Sequence, residues 1–138
     1  MRVFIAGVMQ GSKQDKGITG QNYRQIIREA IHKKHPEAEV VDPFSLFPDS
    51  PEYGDGRARQ VLIDMANEAG QSDIVIAYLP VASMGTALEM IRAYDNGKSV
   101  ISISPMAENW VVRSLSQHIF PTMESFIDWV RDGGLKTV

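Results

Sequence analysis

The chain of 138 residues is long enough for one domain with a buried core, and its 43% hydrophobic and 22% charged residues exclude disorder. The formal net charge of −3 argues against a nucleic-acid backbone as partner, because such a partner requires a basic face. With no cysteine for disulfides or thiolate chemistry, no membrane span and no signal peptide, the expectation is a cytoplasmic protein without membrane or nucleic-acid partners.

Strands and helices are predicted to alternate along the whole sequence. Strands are predicted over 3–8, 38–41, 73–79, 99–104 and 118–120, and helices over 22–34, 57–69, 84–96, 109–116 and 123–132. The first helix is expected to bury Tyr23, Ile26, Ile27, Ala30 and Ile31. This alternation predicts an α/β fold, a single doubly wound, Rossmann-like or flavodoxin-like domain with a five-stranded, mainly parallel sheet.

Two loops at the predicted carboxyl edge of the sheet are candidates for ligand contact. The first follows strand one and contains Gly7, Gln10 and Gly11, but it matches neither a P-loop nor a dinucleotide fingerprint. Its backbone N–H groups could contact a substrate, or the glycines could simply reverse the chain. The second, 42–56, is too long for a plain connector and is a candidate lid.

The segment from Asp73 to Met90 carries the most specific signal. An apolar strand ends at a turn of small residues, and the helix that follows has a lone carboxylate, Glu89, one turn in. Met84, Ala87, Leu88 and Ile91 recur at helical spacing and predict its core face. Since helical side chains lean toward the N-terminus, Glu89 is expected to point over Gly85, where a glycine leaves open space. The pattern predicts a pocket floor that holds an acid.

This segment, with Ser83-Met-Gly-Thr-Ala-Leu-Glu89-Met, resembles the signature of the nucleoside 2-deoxyribosyltransferase superfamily, which includes the deoxynucleoside 5′-monophosphate N-glycosidases. The resemblance implies that Glu89 attacks the anomeric carbon of the sugar and that Asp64, 25 positions upstream, assists the departing base. It implies further that Ser83, with Gly85, holds the sugar or its 5′ substituent. No metal and no cofactor is expected.

The resemblance also implies a symmetric homodimer or a dimer of dimers. Related proteins lend a residue to the neighbouring subunit's active site from the region that corresponds to 109–116, and Ser114 or Ser116 would be that residue here. The stretch 106–116 is rich in Met, Trp and Val, which is typical of an interface.

The first loop departs from the nucleotide-cleaving relatives. Those relatives carry a Ser and an Arg where this chain has Val8 and Gln10, although Ser12 and Lys13 could substitute. The expected substrate is therefore a nucleoside or a nucleoside 5′-monophosphate, with either water or a second base completing the reaction. Two alternatives are a non-catalytic nucleotide sensor, in which Glu89 binds a ribose hydroxyl, and cleavage of the nicotinamide glycosidic bond of NAD.

Overall fold

Five parallel strands form one sheet in the order β2-β1-β3-β4-β5. The computed structural model describes every residue except Lys16 and Thr19. The sequence predicts a polar, glycine-rich loop over 10–20, and that prediction lies outside the described residues at these two positions. The strands are β1 (Arg2–Gly7), β2 (Glu39–Val41), β3 (Ile74–Tyr78), β4 (Ser99–Ile103) and β5 (His118–Phe120). All four pairings are parallel, which confirms the predicted α/β sheet.

Helices α1 to α5 connect successive strands, and α6 follows the last strand. They are α1 (Asn22–Lys34), α2 (Pro43–Leu46), α3 (Asp55–Gln71), α4 (Met84–Asp95), α5 (Trp110–Leu115) and α6 (Met123–Arg131). Within the predicted lid loop, the short α2 begins at the Asp42 cap and a 3₁₀ turn covers Ser50–Glu52. No helix in the described part of the chain has the length and apolar character needed to cross a membrane.

The sheet is covered on both faces, and alternate strand residues enter two separate cores. On one face Ile5 and Ile76 pack with Ile27 of α1 and Phe126 of α6. On the other face the strands pack against α3, α4 and α5. Burial on both faces explains why the strands are continuous apolar runs in the sequence.

The predicted core face of α4 is wrong. Met84, Leu88 and Ile91 are 84%, 44% and 39% exposed, and Ala87 is only partly buried. The buried residues of this helix are Thr86, Met90 and Ala93. Both faces of α4 carry apolar side chains, so periodicity alone could not decide which of them meets the sheet.

The first helix needs a smaller correction. Ile26, expected inward, is 42% exposed, whereas Arg24 is buried. Arg24 shares the spacing of Ile27 and Ile31 and therefore lies on the face of α1 that meets the sheet. A charged residue thus occupies a position at which an apolar one was expected.

Candidate active site

A cavity of about 340 Å³ opens at the carboxyl end of β1, beside the start of α4. The chain leaves β1 toward β2 on one side, and β3 pairs with β1 on the other. This is the topological switch point, where open α/β sheets bind their ligands. The volume lies within the range of small-molecule sites.

The start of α4 forms one wall of the cavity. Ser83 caps the helix by accepting a hydrogen bond from Thr86 N at 3.3 Å, and its Oγ also accepts one from Thr86 Oγ1 at 2.9 Å. The hydroxyl hydrogen of Ser83 is therefore available to a ligand. A side chain on Gly85 would meet no atom within 4 Å, as expected for a glycine that leaves space in front of an acid.

Glu89 carries the only carboxyl group among the described residues that line the cavity. It is partly buried and has no hydrogen-bond partner in the part of the chain that the structure describes. Burial raises the pKa of Glu89 from 4.5 to about 8, and the Arg24 guanidinium opposes that rise. This carboxyl is therefore mostly protonated at neutral pH and becomes mostly ionised above about pH 8.

Side chains of α1 pack against the end of β1. The Tyr23 ring stacks on Tyr78 with centroids 4.3 Å apart, and its hydroxyl donates to the Val8 carbonyl oxygen at 3.2 Å. Any side chain on Gly7 would collide with that ring, so the glycine allows α1 to approach the strand. Arg24, which lines the cavity, donates to the Gly7 carbonyl oxygen at 3.4 Å.

The remaining walls are mostly apolar. The segment 43–56, which we call the lid segment, contributes Pro43, Phe47, Ser50, Pro51 and Tyr53, and α3 contributes Ala58, Val61, Leu62 and Met65. The Arg57 guanidinium lies 5.6 Å from the Phe47 ring centroid and 5.3 Å from that of Tyr53, so it joins two aromatic residues of the lid segment. Such a surface suits a flat, weakly polar group such as a nucleobase.

Six of the predicted site residues line this one cavity: Gly7, Gln10, Gly11, Ser83, Gly85 and Glu89. Three do not. The Asp64 carboxyl accepts a hydrogen bond from Gln60 Nε2 at 2.8 Å on α3, Ser114 is exposed on α5, and Ser116 hydrogen-bonds Ser102 at 2.7 Å. The single chain therefore brings together the first loop and the α4 start, but not the predicted proton donor or the predicted partner residues.

Three features of the site were not predicted from the sequence: Arg24, the apolar α3 wall and the aromatic pair of the lid segment. A signal for Arg24 was available, because a lone cation on an apolar helical stripe must find a buried partner. No sequence pattern indicated Phe47 and Tyr53, because hydrophobic periodicity does not predict where a loop side chain lies.

No protein-family model and no curated protein matches the sequence significantly. Solved structures do match. A 2-deoxyribosyltransferase from the psychrotolerant bacterium Bacillus psychrosaccharolyticus superposes with a TM-score of 0.68 at 16% identity, over 93% of this chain and 91% of that one. A conserved protein from Enterococcus faecalis V583 gives a TM-score of 0.67 at 15% identity, over 96% and 98%.

A third match is the CMP N-glycosidase of Clostridium botulinum, with a TM-score of 0.54 at 18% identity, over 95% of this chain and 98% of that one. At these identities the likeness concerns the fold. The protein therefore has, over nearly its whole length, the α/β fold of a 2-deoxyribosyltransferase and a CMP N-glycosidase, as the resemblance to that superfamily implied.

Proposed function

We propose that the protein belongs to the nucleoside 2-deoxyribosyltransferase superfamily and cleaves the N-glycosidic bond of nucleosides or nucleoside 5′-monophosphates. The observation that carries the proposal is the carboxyl of Glu89, which has no partner among the described residues and lies in a cavity of small-molecule size at the sheet's switch point. The fold shared with a 2-deoxyribosyltransferase and a CMP N-glycosidase supports it.

The proposed nucleophile is the Glu89 carboxylate. Its oxygen forms a bond to C1′ as the C1′–N bond breaks, and the electron pair of that bond leaves with the base. The glycosyl ester then passes its sugar to a second base or to water, which frees the carboxylate. Glycosidases that work through two carboxyl groups need a pair about 5–10 Å apart. The described cavity wall offers one, Glu89, so a second carboxyl group would have to come from outside that wall.

The departing base needs a proton, and the family resemblance names Asp64 as its donor. The Asp64 carboxyl is bonded to Gln60 and is not part of the cavity wall. For Asp64 to act directly, it would have to exchange that bond for one to the base. Gln10, Ser83 and Gly85 are proposed to contact the sugar and its 5′ substituent from the cavity wall.

The test is incubation of the purified protein with a panel of nucleosides and 5′-monophosphates, with base release measured with and without an acceptor base. Release in water alone indicates a hydrolase, and release only with an acceptor indicates a transferase. A sugar ester trapped on the peptide that contains Glu89, detected by mass spectrometry, would be the positive result for the nucleophile. No release from any substrate would contradict the enzymatic proposal.

One observation favours a second function. A carboxyl with a pKa of about 8 is neutral at pH 7 and can donate a hydrogen bond to a ribose hydroxyl. A nucleotide sensor would use Glu89 in that way. Tight binding of a nucleoside or nucleotide in calorimetry, without base release across the pH range, would support the sensor over the enzyme.

We also propose a homodimer. The exposed apolar strip of α4 and α5, formed by Met84, Leu88, Ile91, Trp110 and Val111, borders the cavity, because Met84 is also part of its wall. An exposed apolar surface of this kind is typical of an interface. Leu88→Glu should lower the mass measured by light scattering to that of a monomer, whereas Ile26→Glu on α1 should not. A wild-type monomer at micromolar concentration would contradict the dimer.

A further inference from the structure

A buried ion pair lies beneath the cavity. Arg24 Nη1 and Asp42 Oδ1 are 3.0 Å apart, with side chains only 4% and 5% exposed. The same guanidinium donates to the carbonyl oxygens of Ile5 at 3.0 Å and Gly7 at 3.4 Å, and its Nε donates to Gln21 Oε1 at 2.7 Å. All three guanidinium nitrogens of Arg24 thus donate hydrogen bonds, and these bonds fix the end of β1 against the start of α1.

The other half of the pair anchors the lid segment. Asp42 follows β2 and caps α2, accepting from Phe44 N at 3.1 Å and from Ser45 Oγ at 2.9 Å. Its second oxygen also lies 3.4 Å from Nη2 of Arg28, whose side chain is 38% exposed. A change in the lid segment's first turn therefore acts directly on the charge balance of Arg24.

Arg24 is also the only cation among the described residues of the cavity wall that holds Glu89. The phenol of Tyr23 on α1 interacts electrostatically with Arg24, Asp42, Glu89 and Tyr78, which are therefore the titratable groups of this corner. Burial raises the pKa of Tyr23 well above its usual value, so that this phenol stays neutral. Arg24 is the charged group that acts on Glu89, and it is itself paired with Asp42.

Charged groups on the neighbouring elements lie outside the cavity wall. Asp64 on α3 is bonded to Gln60, and Arg92, one turn after Glu89 on α4, packs beside Gly70 on the side of α3. Among the described charged groups, Arg24 is therefore the one that shares the cavity wall with Glu89.

We propose that Arg24 is a positioning residue for Glu89: its guanidinium, partly neutralised by Asp42, sets the ionisation of Glu89 and links it to the lid segment. The catalytic meaning of this inference rests on the proposed function, but the ionisation itself can be measured without any substrate. A cation stabilises a nearby carboxylate, and an anion paired with that cation weakens the effect. The two halves of the pair must therefore act on Glu89 in opposite directions.

The test is a carbon-13 NMR titration of the Glu89 carboxyl in the full chain. Arg24→Gln should raise the pKa of Glu89 by about one unit, and Asp42→Asn, whose side chain lies outside the cavity wall, should lower it by about half as much. Arg28→Gln, which removes the more exposed and more distant partner of Asp42, is the matched control and should change it by no more than a few tenths of a unit. A purely structural role would not produce shifts of opposite sign, so equal signs or no shifts would overturn the proposal.

Removing one partner of a buried ion pair leaves an uncompensated charge and can prevent folding. Two further variants keep the proposal testable. Arg24→Lys retains the cation and should keep the pKa of Glu89 close to that of the wild type. The double variant Arg24→Gln/Asp42→Asn is neutral and should raise that pKa, because the cation that faces Glu89 is lost. An unchanged pKa in the double variant would overturn the proposal.

The outcome is separable from that of the proposed function. If Glu89 is the nucleophile, the pH midpoint of kcat/KM should follow the titrated pKa in every variant. Opposite shifts in the NMR titration with no base release would uphold the positioning role and contradict the glycosidic activity. Base release with the same pH profile in every variant would uphold the glycosidic activity and contradict the positioning role.

Discussion

The helices α3 and α4 form facing walls of one cavity, and each carries an acid that the sequence motif singles out, yet their surroundings differ. Glu89 on α4 lines the cavity without a partner among the described residues, and burial raises its pKa to about 8. Asp64 on α3 bonds Gln60 and is not part of the cavity wall. The walls differ because α4 directs Glu89 past the open space at Gly85, whereas α3 presents Val61, Leu62 and Met65.

This contrast indicates that a shared motif spacing does not give two residues equal roles. An unpaired acid that a protein buries at a cavity costs stability and is a functional candidate, whereas an acid bonded to a neighbouring surface amide is not distinguished by its environment. Substitutions at Glu89, Asp64 and Ser83 should therefore have effects of different size.

The largest expected effect is that of Glu89→Gln on turnover. Loss of the attacking carboxylate should lower kcat by at least several hundredfold, since the amide cannot form the glycosyl ester. Steady-state base release checks this, with circular dichroism as the control for folding. Activity within about tenfold of the wild type would rule out Glu89 as the nucleophile.

The same substitution should change the pH dependence of stability. Because the pKa of Glu89 is about 8 in the folded protein and 4.5 when unfolded, the folded state holds the proton more tightly. The stabilisation is complete below about pH 4.5 and is lost as pH rises through about 8. The free energy of unfolding of Glu89→Gln, relative to that of the wild type, should therefore be a few kcal/mol larger at pH 9 than at pH 4.

Urea denaturation at a series of pH values measures that difference. A stability difference for Glu89→Gln that stays constant with pH would contradict the raised pKa.

The next largest effect is expected from a carboxylate introduced at the start of α4. Ser83→Asp preserves a good helix cap but places a negative charge at the cavity wall. It should raise KM for 5′-monophosphates by at least about tenfold and change KM for nucleosides only a few-fold, because like charges repel in a partly desolvated site. Ser83→Asn is the neutral control. Equal losses on both substrate classes would show that Ser83 does not face the 5′ group.

The smallest expected effect is that of Asp64→Asn on turnover. We expect kcat/KM to fall by less than about tenfold, well short of the 10²–10⁴ that general acid catalysis supplies, because this carboxyl bonds Gln60 outside the cavity wall. Gln60→Ala, which frees the Asp64 carboxyl, provides the comparison. A hundredfold loss in Asp64→Asn would establish that Asp64 turns into the site when substrate is bound.

Much of the architecture was predictable from the sequence. All five strands and the helices α1, α3, α4, α5 and α6 lie within about two residues of their predicted bounds, because apolar runs and helical periodicity report burial directly. The Glu89 segment was recognisable for the same reason, since a buried strand followed by small residues and a capped helix is a local pattern. Its place at a cavity with Gly7, Gln10, Gly11, Ser83 and Gly85 follows from the meeting of parallel strand ends at one edge.

Other features depended on the tertiary structure. Which apolar face of α4 packs on the sheet, whether Asp64 points into the cavity, and that Arg24 pairs with Asp42 are settled by side-chain orientation and by contacts between residues distant in sequence. Hydrophobic periodicity measures how apolar a face is, but it does not identify what that face meets. The local sequence therefore determined the elements and the position of the acid, and only the packing of helices against the sheet decided its electrostatic surroundings.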